Sequence, residues 1–556
     1  MPATRSRILL WAALSGVLWA LAWPAIGGFT WFAFIAWLPL LHAERLHEQR
    51  TKGRRAFVPY ALLALFIWNL SCSWWFWCVS EPFATKLISV SAPVLVNTML
   101  MALPWYVKRL VYRTMGPRLA VFAFVVSWLA FERLHHDWDL QWPWFSIGNV
   151  FGSRPEMVQW YEFTGMLGGS LWVLLSALCI DRVITRWRMS RRSVLMAIAS
   201  AVLVILLPWI VSLWRFVQYP TGLGRHVEVV VVQPNIDPYS QKFGGMEAME
   251  QVDRMLDLAA EKITGNTALI VFPETALQEG ATVDMLTGEL VLNGLWENDL
   301  EASRSAQRLR RFQSEHPHAA LLTGMSSDRL LERSSELPST ARPLGDNRHW
   351  YESYNAALWM PARGSLTSYH KSKLVAGVEL MPFEEVLGPL SDLALDLGGT
   401  TGSLGQQEER AVLRDPTTGL AVIPVICYES VFGEHVAAHV RNGGNLIAIM
   451  TNDGWWDDSP GYHQHLTFAS LRAIETRRDV VRSANTGTSC TVDQKGVVHD
   501  RTSWWEPTAF RATVDLNNGI TFFVAHGDLI GRTAVPLAML MLLLAAVRRF
   551  RDLRSV

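Results

Sequence analysis

Long apolar runs crowd residues 1–215 and return at 528–547, while residues 225–527 alternate short apolar segments with polar ones. A helix that crosses a membrane needs roughly 17–25 mostly apolar residues. Eight stretches approach that length: Ile8–Trp23, Phe29–Leu41, Phe57–Val79, Leu87–Val107, Leu119–Phe131, Trp160–Ile180, Val194–Trp214 and Leu529–Val547. The second and fifth are short, and the second reads as either spanning or re-entrant. Arg5 and Arg7 precede the first stretch and Ala20-Leu21-Ala22 lies near its end, features shared with signal peptides. With further spans following, it is read as a retained helix.

Between these blocks the period changes. His226–Val232, Ala268–Phe272, Ala320–Gly324, Ala421–Ile426 and Leu446–Met450 are largely apolar runs, as expected of strands buried on both faces. Glu247–Glu261, Asp299–Gln313 and His465–Thr476 carry helical spacing, Val492–Val497 reads as a hairpin, and Phe510–Leu516 as a late strand. The pattern predicts an integral membrane α-helical bundle with an inserted α/β domain. Its boundaries fall at 1–224 for seven membrane helices, 225–527 for the α/β domain, and 528–556 for an eighth helix and a basic tail.

Composition agrees. Half of the 556 residues are hydrophobic, 18% are charged and 26 are Trp, where a soluble chain carries about 25% charged residues. Fifty Lys and Arg balance fifty Asp and Glu, so no excess of positive charge points to nucleic acid. The positive charges are unevenly placed, however. Twenty fall in loops on one side of the predicted helices, among them Arg45, Arg50, Lys52, Arg54, Arg55, Lys108, Arg109 and Arg182. Only Lys86, Arg133 and Arg154 fall in short loops on the other. Positive residues stay on the cytoplasmic side, so both termini are expected there, with the 225–527 domain outside, on the periplasmic face of a bacterial inner membrane.

Three buried strands end in reactive residues. Ala268–Phe272 runs into Pro273-Glu274, Ala421–Ile426 into Cys427-Tyr428-Glu429, and Leu446–Met450 into Thr451-Asn452-Asp453-Gly454-Trp455-Trp456. Sites in α/β sheets lie at the carboxyl ends of strands, which suggests one shared site. A Cys at a strand-to-helix turn sits where a helix N-terminus favours the thiolate. By position alone Cys427 reads equally as a nucleophile or a buried core thiol, and Glu274 as a catalytic acid–base or a helix cap. The other cysteines, Cys72, Cys78, Cys179 and Cys490, form no CxxC pair.

Pro273-Glu274, Tyr369-x-Lys371-x-x-Leu374-Val375 and Cys427-Tyr428-Glu429 together resemble the carbon–nitrogen hydrolase (nitrilase) superfamily. Val232-Gln233-Pro234-Asn235-Ile236, Ser459-Pro460-Gly461, Gln464-His465 and Ala484-Asn485-Thr486-Gly487 follow in the same order. Set among membrane helices, the whole resembles the apolipoprotein N-acyltransferase family. The resemblance implies an αββα sandwich and a Glu–Lys–Cys triad. Glu274 matches the general base, Lys371 the lysine, Cys427 the nucleophile and Glu379 a second essential glutamate. Tyr428 and Glu429 match pocket supports, Trp455 and Trp456 an aromatic pair near the acyl pocket, and Phe243 the position of an arm tryptophan. Leu374-Val375-Ala376-Gly377-Val378-Glu379 departs from the family's Leu-Val-Pro-Phe-Gly-Glu, which bears on loop shape, as the aromatic replacements bear on acyl-chain preference.

The implied reaction is ping-pong. Cys427 takes an acyl chain from a phospholipid as a thioester and passes it to the α-amine of a diacylglyceryl-cysteine at an apolipoprotein N-terminus. No cofactor or metal is implied. A free Glu near pKa 4.3 is a weak base for a Cys near 8.5, a gap of about four units. Burial is expected to raise Glu274, and Lys371 to lower Cys427 and to share oxyanion charge with the Tyr428 amide. The alternative is a membrane-tethered amidase that hydrolyses a small amide. Among weaker signals, His135-His136 and His463-Gln464-His465 lack a full metal-ligand set. The clusters Trp74-Trp75-Phe76-Trp77 and Trp142-Pro143-Trp144 suit an interfacial belt or, more sharply, a lipid gate. Glu162 stands out as an ionisable group at the start of the sixth span.

Overall fold

In the strand Arg225–Gln233, Val227, Val229 and Val231 face one apolar layer while Val230 and Val232 face another. The two-residue period of a strand thus buries both faces, and the reason becomes clear from the computed structural model of the chain. It describes residues 4–51, 56–80, 82–222, 224–286, 289–332, 337–344, 349–383 and 403–554. One sheet orders Thr508–Leu516, Arg225–Gln233, Thr267–Val271, Ala320–Leu331, Trp350–Met360 and Arg342–Pro343, with Thr367–His370 also paired to Trp350–Met360. The second orders Val498–His499, Cys490–Val492, Val480–Ala484, Leu446–Thr451, Leu420–Ile426 and Leu413–Asp415. The three central strands of each are parallel.

The inner faces pack together, Val227, Val229, Leu269 and Leu322 meeting Val422, Ile426, Ala448 and Met450 in one cluster. Helices Ala248–Ala260 and Arg304–Glu315 cover the first sheet through Met255, Leu256, Leu309 and Phe312. Gly433–Arg441 and Pro460–Thr476 cover the second through Val436, Val440, Leu466 and Ala473. This is the expected αββα sandwich. The expected helix Asp299–Gln313 is broken, however. Leu300–Ala302 is a 3-10 turn, and Ser303 starts a new helix by accepting a hydrogen bond from the Ala306 amide.

Among the described residues, six helices are long and apolar enough to cross a membrane: Arg5–Ala22, Val58–Cys78, Phe83–Met115, Met166–Arg186, Arg191–Gln218 and Leu529–Arg551. Two of the eight expected spans fall short. Phe29–Leu41 divides into a 3-10 turn, Thr30–Phe34, and a helix, Leu38–Thr51, that continues through Glu44, Arg45 and Glu48. Leu119–Phe131 lies in an 18-residue helix, Pro117–Leu134, that includes Arg118, Glu132 and Arg133. The sixth span starts later than expected, at Met166, because Gly165 (φ +62°) turns the chain after Tyr161–Thr164. Lys52, Arg54 and Arg55 of the charge pattern lie outside the described residues. Tryptophans knit the helices together: Trp19 stacks on Trp68 at 4.4 Å, and Trp37 meets Trp128 edge-on at 4.9 Å.

The helical part and the sandwich are joined by buried polar links. Trp144 Nε1 donates to Gln464 Oε1 at 2.8 Å, and Gln464 Nε2 donates to the Cys72 carbonyl at 3.1 Å. Glu162 accepts from Arg215 at 2.6 Å and from Arg477 at 2.8 Å. Burial pushes the Glu162 carboxyl up, but these two guanidiniums bring it below its ordinary value. Glu162 is therefore a structural clasp between the two parts, which accounts for an acid at that position.

Candidate active site

Cys427 follows Leu420–Ile426 and opens a short 3-10 helix, Cys427–Val431. Its φ of +48° lies in the left-handed region, a conformation that costs of order 1–3 kcal/mol for a non-glycine residue and collects at functional sites. Glu274, ending Thr267–Val271, is followed by Thr275 at φ +46°. Lys371 follows Thr367–His370 and is 1% exposed.

These chain ends converge. Lys371 Nζ donates to Glu379 Oε1 at 2.8 Å and to Glu274 Oε1 at 3.2 Å. Asn355 Nδ2 donates to the same two oxygens, at 2.9 Å to Glu274 and 3.0 Å to Glu379. The Asn452 amide donates to Glu274 Oε2 at 3.1 Å. Two carboxylates thus share one ammonium and one amide. Burial opposes charge on Lys371, but Glu379, Glu274 and Cys427 more than offset it and hold its pKa above the ordinary lysine value. Despite the departure at Ala376-Gly377-Val378, the loop closes on Glu379. The Val375 amide donates to Glu379 Oε2 at 2.9 Å, and Gly377 takes φ +80°.

The thiol differs from expectation. Burial and the negative charge of Glu274 push Cys427 well above the ordinary thiol range, and Lys371 and Thr451 only partly oppose them. The helical segment that starts at Cys427 is a five-residue 3-10 turn, too short for much of a dipole. The resting group is a thiol, so attack requires a base at the moment of reaction. The Tyr428 amide stands in the first turn of that segment, where backbone donors lack intrahelical acceptors.

Glu429 is completely buried and acts as a clamp. Its Oε1 accepts from the Ser372 amide at 2.6 Å and the Tyr369 hydroxyl at 2.8 Å, and its Oε2 from the Ile426 amide at 2.7 Å. It thereby ties the lysine loop to the cysteine turn. Burial alone would raise it, but His435 and the two backbone donors bring it down to about 2. Tyr428 donates to the Gln141 carbonyl at 2.8 Å and stacks near Trp142 at 6.0 Å, which fixes the cysteine turn against the helical part.

A cavity of about 670 Å³ joins these groups to the membrane helices. Glu274, Lys371 and Cys427 line one part of it. Ile88, Val96 and Leu100, on the helix Phe83–Met101, line another. Phe243 borders it and lies nearly parallel to Trp455 at 5.9 Å, while Trp456 packs edge-on against Trp75 at 4.8 Å. Trp75, Trp142 and Trp144 line this cavity, whereas Trp74 and Trp77 are exposed.

A family model for carbon–nitrogen hydrolases matches residues 229–521, more than half of the chain, and one for the apolipoprotein N-acyltransferase N-terminal domain matches residues 15–179. The chain belongs to the apolipoprotein N-acyltransferase branch of the carbon–nitrogen hydrolases. The apolipoprotein N-acyltransferase of Chlorobaculum tepidum is 28% identical, covering 96% of this chain and 96% of its own. That of Geobacter metallireducens is 26% identical, covering 98% and 96%. Among solved structures, an amidase from Nesterenkonia sp. is 18% identical with a TM-score of 0.32, covering 54% of this chain and 95% of its own.

Sequence reasoning missed three buried residues that contact this cluster. Lys242, 3% exposed, donates to the Glu274 carbonyl at 2.9 Å, and burial pushes it down to about 7 although Glu274 and Cys427 pull it up. Asn355 interrupts a buried strand, a polar residue where Ala356, Ala357 and Leu358 follow, and that interruption was the available signal. His465 enters the sequence reading through the Gln464-His465 motif and as an incomplete metal ligand, with no role beside Cys427. Its Nδ1 lies 3.1 Å from Asp453 Oδ1 and its Nε2 3.1 Å from the Cys427 carbonyl. Among the described residues, no group of three His, Cys, Asp or Glu side chains could hold a metal.

Proposed function

We propose that this chain transfers an acyl chain from a phospholipid, through a thioester on Cys427, to the α-amine of an N-terminal diacylglyceryl-cysteine of apolipoproteins. The observation that carries the reading is the single cavity shared by Glu274, Lys371, Cys427 and the apolar side chains of Phe83–Met101. A small-amide hydrolase has no use for a membrane-helix wall, and relatives similar over nearly the full length are named as N-acyltransferases. Both favour acyl transfer over the amidase alternative.

Glu274 takes the Cys427 proton as sulfur attacks the ester carbonyl, and returns it to the departing lysophospholipid. Lys371 and the Tyr428 amide face the developing oxyanion. In the second half Glu274 takes a proton from the amine and delivers it to the leaving sulfur. Glu379 shares Lys371 with Glu274 and keeps the ammonium charged. Phe243, Trp455 and Trp456 border the chain and exclude water that would hydrolyse the thioester. The helical parts, 1–224 and 528–556, hold both lipid substrates beside the 225–527 domain. The bias of positive loops supports a periplasmic position for that domain at the inner membrane, with both termini in the cytoplasm.

The test is an intact mass after exposure of detergent-purified wild type and Cys427→Ala to phospholipid. An acyl-sized adduct is expected on wild type only, removed by hydroxylamine and passed to a diacylglyceryl-cysteine peptide. Absence of both the adduct and phospholipid cleavage would overturn the reading.

A further inference from the structure

Gln141 reaches both catalytic chain ends from the helical part. It lies between the helix Pro117–Leu134 and the 3-10 turn Pro143–Phe145, is 7% exposed, and borders the cavity. Its backbone carbonyl takes the Tyr428 hydroxyl at 2.8 Å, next to Cys427 in the chain. Its side chain turns to the lysine loop: Nε2 donates to the Leu374 carbonyl at 3.1 Å, and Oε1 accepts from Lys373 Nζ at 3.3 Å. A carbonyl only accepts and an ammonium only donates, so the amide can face them in one orientation. The Leu374 carbonyl belongs to the same peptide unit as the Val375 amide, which donates to Glu379 Oε2 at 2.9 Å. A trans peptide is planar, with its C=O and N–H pointing opposite ways. Gln141 therefore grips one end of the unit whose other end holds Glu379. Glu379 in turn accepts from Lys371 at 2.8 Å through its other oxygen.

We infer that Gln141 is a positioning residue that holds Glu379, and through it Lys371, by fixing the Leu374–Val375 peptide. The inference deepens the acyl-transfer reading and rests on it. Leu374 is fully buried, and among the described residues Gln141 is the one donor to its carbonyl. Without that donor the carbonyl is left unpaired in the interior, which is costly, and the peptide plane is free to turn. Turning swings the Val375 amide off Glu379. A peptide whose oxygen accepts a hydrogen bond is also a stronger N–H donor, so the link weakens even before it moves. Glu379 then loses the donor at Oε2, and Lys371 loses a fixed carboxylate opposite Glu274. The ammonium shifts from the place where it meets the oxyanion as Cys427 is acylated. Lys373 also donates to the His136 carbonyl at 3.0 Å and to Asp137 Oδ1 at 3.5 Å, so the loop stays docked without the Gln141 side chain. Positioning and docking are thus separable.

The experiment uses the full-length protein in detergent and p-nitrophenyl butyrate, a small ester that acylates a cysteine with release of p-nitrophenolate. Stopped-flow bursts give the acylation rate constant and the ester concentration at half-saturation. Gln141→Met keeps the volume and loses both side-chain hydrogen bonds. It is expected to lower the rate constant roughly 10- to 100-fold, with the half-saturating concentration within about threefold of wild type. Gln141→Glu keeps the Lys373 contact but sets an acceptor against the Leu374 carbonyl, and is expected to slow acylation as much. It is measured in parallel in case the methionine variant does not fold. Lys373→Met loosens the docking and spares the Gln141–Leu374 bond, so its rate constant is expected within about threefold of wild type. A folded Gln141 variant that acylates at the wild-type rate overturns the assignment. So does one that changes only the half-saturating concentration, because Gln141 is then a wall of the cavity. Equal slowing in Lys373→Met overturns it too, since docking alone then accounts for the effect. Absence of a burst in wild type overturns the acyl-enzyme reading instead.

Discussion

Two buried ion-pair clusters lie on either side of Cys427, built from similar groups and arranged to opposite ends. In the first, Glu274 and Glu379 share Lys371 and Asn355, so two carboxylates face one ammonium, and the group borders the cavity. In the second, Asp453 pairs with Arg482 at 2.8 Å and also accepts from Thr451 at 2.9 Å, with His465 at 3.1 Å. Burial raises Asp453, but Arg482 and His465 bring it below its ordinary value. Here one carboxylate meets one guanidinium. Buried charge must be matched. The balanced cluster is satisfied internally and serves to hold the Cys427 carbonyl through His465. The unbalanced one keeps a carboxylate in excess, and such a group can exchange a proton with a ligand.

If that contrast holds, damage to the first cluster stops chemistry and damage to the second unfolds the protein. The largest effect is expected from Lys371→Met, Glu274→Gln or Cys427→Ala, each lowering acyl transfer by about 10⁴-fold or more, since members of such a unit fail together. Steady-state transfer to a diacylglyceryl-cysteine peptide checks it, and residual activity within tenfold of wild type would break the comparison. Arg482→Met leaves Asp453 buried and uncompensated, at a cost of about 3–5 kcal/mol. Thermal unfolding in detergent should show a lower midpoint, and a stable but inactive variant would place Arg482 with the chemistry instead.

A smaller effect concerns pH. Lys242 is held at about 7 when folded and titrates near 10.4 when unfolded. Between these values the unfolded chain binds the additional proton, so this group makes stability rise with pH across roughly 7 to 10, by up to about 1.4 kcal/mol per unit. Lys242→Met should lose that slope in denaturation midpoints measured over the same range. An unchanged slope would show that Lys242 does not titrate there. The smallest effect is expected from Tyr428→Phe. It leaves the Gln141 carbonyl without its donor and should cost about 1 kcal/mol, read as a modest fall in the unfolding midpoint with acyl-enzyme formation retained.

Much of the sandwich was legible along the chain. Val229–Val232 and Leu446–Met450 are apolar at every position, as strands covered on both sides require, and the observed strands Arg225–Gln233 and Leu446–Thr451 contain those runs. The reactive residues were legible where they end such strands, as Glu274 and Cys427 do. The second span misled because apolar content says nothing of a 3-10 turn at Thr30–Phe34. The thiol misled because its state depends on burial and on Glu274, which is 153 positions away in the chain.

By itself the sequence determined the two kinds of environment, membrane helices and doubly covered sheet, because each imposes its own hydrophobic period on local residues. It also determined which strand ends carry an acid and a thiol. Only the tertiary structure decided that Lys242, Asn355 and His465 join them. Each is a polar residue in an arm, a strand or a helix with no local periodicity to mark it. What singles them out is burial against charges contributed by distant strands, and burial exists only once the two sheets have closed on one another.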